Sequence, residues 1–176
     1  MKISRDFRIV GFLIGAFFFW GCSTTYTPKT KPADLATIPK FQAQSSVALI
    51  NAQAATEVVR FSDPSLPTVK GSLNAWTSAS ISGIKRTLEN AGVRVDEHAA
   101  KQLKVAITKV AIFGAKGGFG WMCKIELNVE PTGGVVFALT TTIGSWKMPP
   151  ACNNAVNSAT KLVLNDERVV KFLTGQ

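Results

Sequence analysis

The chain has 176 residues, with 20 Lys and Arg against 11 Asp and Glu, a single His and a formal charge of +9. One histidine excludes a His-based metal cluster and any paired-His site. The length bounds the chain to one domain able to bury a self-sufficient core.

Residues 1–8, MKISRDFR, are basic, and residues 9–20, IVGFLIGAFFFW, carry no charge. A bilayer-spanning helix needs about 20 apolar residues, so this run matches instead the n- and h-regions of a secretory signal. Gly21 then precedes Cys22. A cysteine after a small residue at that point resembles the lipobox of bacterial lipoproteins. The family prefers Leu three positions before the cysteine and a small residue two before, where Phe19 and Trp20 stand here. The resemblance implies cleavage after residue 21 and a covalent lipid on Cys22 as the only attached group, no other cofactor being implied. With Ser23 after the cysteine, it also implies an outer-membrane location facing the periplasm. Two or more acyl chains would make the anchorage stable.

Residues 23–40, STTYTPKTKPADLATIPK, hold three prolines and no apolar periodicity, so residues 22–44 read as a lipidated cysteine and a tether. Eighteen flexible residues reach about 25 Å on average. From residue 45 to 176 the pattern is that of a single α/β domain. SSVALIN (45–51) and TEVVRF (56–61) read as strands, and SDPSLPT (62–68) as a turn. A helix is expected from Asn74, as N-cap, to Ala91, with Ile81, Ile84 and Leu88 on its apolar stripe and Gly92 after its end. Residues 102–113 and 121–130 read as strands, the second with Cys123, Ile125, Leu127 and Val129 alternating against Lys124, Glu126, Asn128 and Glu130. A three-residue turn at 131–133, with Gly133 left-handed, returns the chain into a strand over 135–146 that Pro149 and Pro150 stop. A second helix is expected from about Cys152, broken or recapped at Asn165-Asp166 before ERVVKFL (167–173). This order predicts an α+β two-layer sandwich, a mixed, mostly antiparallel sheet of four or five strands with two helices on one face.

LENAGVRV (88–95), QLKVAITKV (102–110) and the closing DERVVKFL (166–173) resemble small envelope lipoproteins of the YajG-like kind. That resemblance supports the fold and implies no reaction.

The motifs of catalysis are incomplete. FGAKGGFGW (113–121) has the glycines of a phosphate loop but neither GxxxxGK[ST] nor GxGxxG spacing, and reads as a hairpin loop. Ser82–Lys85 and Ser158–Lys161 make SxxK pairs without the companion elements of penicillin-binding enzymes. His98 has no GxSxG nucleophile to serve and reads as a turn residue.

Without residues 1–21 the charge is +7, from 17 basic and 10 acidic residues. That excess suits anionic lipid, acidic glycan or an envelope protein; nucleic acid fits the charge but not the compartment. The strand pairing places Cys123 opposite about Thr141 and gathers Lys116, Phe119, Trp121, Lys124, Trp146 and Lys147 at one end of the sheet. Aromatic faces beside ammonium groups suit such partners; otherwise the tryptophans cap the core. The same geometry brings Cys123 and Cys152 together as a predicted disulfide, with two buried free thiols as the alternative. The sequence thus favours a non-enzymatic, membrane-anchored binding or scaffold domain. The second reading is a lipid- or lipopolysaccharide-binding accessory protein, and a hydrolase using His98 comes third.

Overall fold

The computed structural model describes residues 23–41 and 46–175. The signal-peptide reading of residues 1–21 and the lipid site at Cys22 lie outside the described residues. The architecture is an α+β sandwich. A four-stranded mixed sheet runs in the order β2 (Val47–Asn51), β5 (Lys101–Gly114), β6 (Trp121–Pro131), β7 (Phe137–Ser145). A three-stranded sheet orders β1 (Thr24–Thr25), β4 (Val69–Gly71) and β3 (Val59–Arg60). Helix α1 (Leu73–Asn90) packs over β5 and β2, and α2 (Met148–Asn165) over β6 and β7; a short α3 (Glu167–Thr174) follows.

Strand β6 buries the predicted face completely, from Cys123 through Val129. In β5 the buried positions are Leu103, Val105 and Ile107, then Val110 and Ile112, so the alternation slips by one. A bulge between Ile107 and Lys109 absorbs the extra residue. It keeps both apolar sets inward, which a regular strand could not do. Past the end of β2, which stops opposite Val105, side chains meet the Ile107 backbone: its N–H donates to Thr77 Oγ1 of α1 at 2.9 Å, and Gln53 Nε2 donates to its carbonyl at 2.7 Å.

Helix α1 is capped by Ser72, whose hydroxyl accepts from Ala75 N–H, two residues before the expected Asn74. Helix α2 starts four residues before the expected Cys152. Pro149 and Pro150 open it rather than stop the strand, because a first-turn proline gives up an N–H that has no intrahelical partner anyway. The β6–β7 register pairs Cys123 with Ile143 and Ile125 with Thr141, two residues from the expected alignment. The connecting turn is longer than three residues, although Gly133 is left-handed as anticipated (φ 76°).

The largest departure is the expected tether. Residues 23–41 are a strap that lies along both helices. Tyr26 Oη donates to Asn153 Oδ1 at 2.6 Å and lies 3.1 Å from Pro149 O. Lys29 N–H donates to Asn153 Oδ1 and Lys31 N–H to Asn157 Oδ1, both on α2. Ala33 N–H donates to Thr87 Oγ1 of α1 at 2.8 Å, and the Arg86 guanidinium reaches Thr30 O. Asn165 Nδ2 donates to Thr37 O further along. Pro28, Ala33, Ile38 and Phe41 are buried. The strap's own amides, which composition leaves to solvent, are bonded by side chains of the two helices, so the segment is ordered.

These contacts advance along α1 and α2 together as the strap advances, so the two helices run in the same direction. At Gly83 the three segments cross. A Cβ there would come within 3.0 Å of Thr160 Oγ1 and 3.5 Å of Thr30 Cβ.

Candidate functional site at the hairpin end

The β5–β6 connection, residues 115–120, is closed by Ala115 N–H donating to Gly120 O and Gly118 N–H to Ala115 O. Gly117, Gly118 and Gly120 all have φ near +90° (97°, 83° and 105°), a region L side chains rarely adopt. The loop holds Phe119 at 79% exposure. Ser145 pairs with Trp121, so the β7–α2 junction lies beside this loop. Trp146 there is 80% exposed. Lys116 and Lys147 are exposed beside them, and Lys147 is the N-cap residue of α2 without a side-chain capping bond.

Two of the six predicted patch residues are used differently. Trp121 follows the inward alternation of β6 and packs on the core. Lys124 faces outward in mid-strand and pairs with Glu126 at 2.8 Å. That ammonium, hydrogen-bonded to Glu126, holds its carboxyl below the usual range. Four residues thus make the free patch: Lys116, Phe119, Trp146 and Lys147.

Topology places the chain's N-terminal side at the same end. The strand continuing from β3 pairs in parallel with β5 at Ser62–Ile112 and so runs toward the hairpin. Strand β4 is antiparallel to β3, and β1 is parallel to β4. Strand β1 therefore runs away from the hairpin, and its first residue, Thr24, lies on the hairpin side. The signal that could have revealed the strap is the set Asn153, Asn157 and Asn165, spaced by four and eight on one stripe of α2. A search for apolar periodicity passes over it.

Cys123 and Cys152 do meet beneath this end, both fully buried, but as two free thiols rather than the predicted disulfide. The neighbouring Cys123 thiol, together with burial, pushes the Cys152 thiol far up. Disulfide chemistry starts from a thiolate, which such an environment suppresses. Neither cysteine is expected to take up iodoacetamide in the native protein at pH 8, and both are expected to do so in denaturant. Mass spectrometry of each sample reads the outcome directly, and native labelling at either site would contradict the buried pair.

Tyr26, the sole tyrosine, borders this pair. Burial first, then the neighbouring Cys152 and Cys123, raise its phenol from 10.0 to about 12. The folded state binds this proton more tightly than the unfolded one, so the contribution is complete below pH 10. It is lost as pH rises from 10 towards about 12. With one tyrosine, the tyrosinate absorbance titrates a single site. An inflection near 10 in the folded protein would mean that Tyr26 is not docked.

His98 is exposed in a turn where its N–H donates to Asp96 Oδ1. Ser158 Oγ shares a hydrogen bond with Thr141 Oγ1 at 2.9 Å, and Lys85 and Lys161 are exposed. No protein-family model matches the chain, and no curated protein is similar to it in sequence.

Proposed function

We propose that the protein is a lipoprotein of the YajG-like kind, anchored through Cys22 at the periplasmic face of the outer membrane. It acts there as a non-enzymatic binding or scaffold domain for an envelope protein or cell-wall polymer. The observation that carries this reading is the strap. It ties the chain to both helices from Tyr26 onward, leaving Ser23 alone between Cys22 and strand β1. A residue modified at Cys22 would hold the folded body at the membrane directly. The covalent lipid is the only added group this function requires. The exposed turn position of His98, away from the aromatic and basic residues, favours binding over hydrolysis.

The test is expression of the full chain and its Cys22→Ser form in a Gram-negative host, with membrane fractionation and intact-mass measurement. Wild type in the outer membrane, carrying an acyl mass that Cys22→Ser lacks, is the expected result. In-cell crosslinking should then enrich one defined envelope component. A soluble, unacylated wild type would overturn the anchor.

A further inference from the structure

We infer that the hairpin end docks on an anionic phospholipid bilayer, with Phe119 and Trp146 in the headgroup boundary and Lys116 and Lys147 among the phosphates. The inference rests on the anchor reading and adds to it a fixed face and orientation. Three independent features of the molecule converge on that end.

The first is where the chain leaves. From Thr24 back to Cys22 there are two residues, which span at most about 7 Å of extended chain. Because β1 runs away from the hairpin, that short span begins at the hairpin end. An anchor there leaves the body little freedom to present another surface.

The second is the aromatic pair. Phe119 and Trp146 are both about four-fifths exposed, whereas Trp76 and Trp121 pack on the core. A large ring held in water by a glycine loop adds nothing to folding, while the bilayer interface is the setting that favours such amphipathic rings. The left-handed glycines on either side of Phe119 let the ring turn towards a flat surface.

The third is charge. Among the described residues neither Lys116 nor Lys147 has an ion-pair partner. Asp63, which follows Ser62 at this end, stays ionised, its carboxyl held below the usual range first by the hydroxyl and N–H of Ser65, with the Arg60 guanidinium beside it as a balancing cation. Helix α2 begins here, directly after Lys147, so its positive dipole end adds to the lysines. The opposite end differs: the β6–β7 turn exposes Val135, and the charges near it are paired as Lys104–Glu130 and Arg168–Asp166.

The test uses the full chain purified from membranes and reconstituted in liposomes of phosphatidylcholine with 30% brominated phosphatidylglycerol. Bromines quench tryptophan only at short range. The expected result is quenching in the wild type that disappears in Trp146→Phe. A tryptophan placed at the far end by Val135→Trp, in the Trp146→Phe background, should stay unquenched. Lys116→Gln with Lys147→Gln should lower the docked-to-undocked ratio about 25-fold, roughly fivefold per lysine. All four positions are exposed, so these variants are expected to fold, and unchanged circular dichroism checks it.

Equal quenching in wild type and Trp146→Phe would overturn the docking, as would quenching at Val135→Trp. Both would place another face, or a protein partner, against the hairpin end. The acyl mass measured on the same sample decides the anchor separately. An acylated chain without Trp146-dependent quenching loses the docking and keeps the anchor. An unacylated chain that floats with the liposomes and shows that quenching loses the anchor and keeps the docking. An unacylated chain that does not float loses both.

Discussion

Replacing Trp76 by Ala is expected to cost about 3–5 kcal/mol of stability, the range for emptying a buried aromatic site. Trp76 is 0% exposed and stands where three parts of the fold meet. Its ring packs edge-on against Phe61 at 5.3 Å and Tyr26 at 6.1 Å, and its indole N–H donates to Tyr26 O at 3.0 Å. Removing it leaves a cavity beneath the strap and takes away the donor that fixes the strap's first turn. For a domain of this size the loss corresponds to a fall in Tm of about 10 °C. Trp76→Phe keeps a ring and loses the donor, so it should cost only about 1–2 kcal/mol. A second readout locates the damage. Lys29 and Lys40 lie in the strap, and trypsin should cut after them much sooner in Trp76→Ala than in wild type. Equal destabilisation without faster cleavage there would mean that the indole supports the core but not the strap.

Gly71→Ala should be nearly as damaging, at about 3 kcal/mol, the upper end of what one added methyl costs in a packed site. A Cβ on Gly71 would sit 2.7 Å from a Phe61 ring carbon, 2.8 Å from Tyr26 O and 2.9 Å from Trp76 Nε1. One of these is backbone and the other two belong to buried rings, so none can give way cheaply. The control is Gly114→Ala at the end of β5, where a Cβ meets nothing within 4 Å. That change should lie within about 0.5 kcal/mol of wild type. Denaturant midpoints of the two variants test the contrast, and equal midpoints would show that the Gly71 crossing can relax.

Much of this architecture is legible in the sequence. The alternation of β6 and the apolar stripe of α1 each carry one clear period, and the sandwich follows from their order. What escapes has a common cause, because it depends on partners distant in sequence. The β5 bulge shows only as a three-residue gap between Ile107 and Val110, and the Ile107 backbone beyond the end of β2 is satisfied by Thr77 and Gln53. The strap has the composition of a linker, and its order comes from asparagines on α2 more than a hundred residues away. In the candidate site, the glycine loop and Trp146 are readable because exposure there follows from turns. The pairing of Lys124 with Glu126 follows from their shared face, two positions apart, which the count of basic residues overlooked. The meeting of Cys123 and Cys152 was readable too, since both lie on inward stripes. Their free state depends on burial, which spacing alone does not reveal.

The strap also sets an order of events in time. Its partners on α2 lie 123 to 128 positions later in the chain, so although its contacts with β4 and α1 are available earlier, it cannot dock fully until nearly the whole polypeptide has been made. Contacts of such separation come late in folding, after the local ones have repaid their cost. Until then the part of residues 23–41 that lies on α2 has no partner and behaves as its composition describes. Once α2 is in place, Asn153, Asn157 and Asn165 fasten it along its length. The same nineteen residues are therefore loose while the chain is being built and bound to both helices once it is finished.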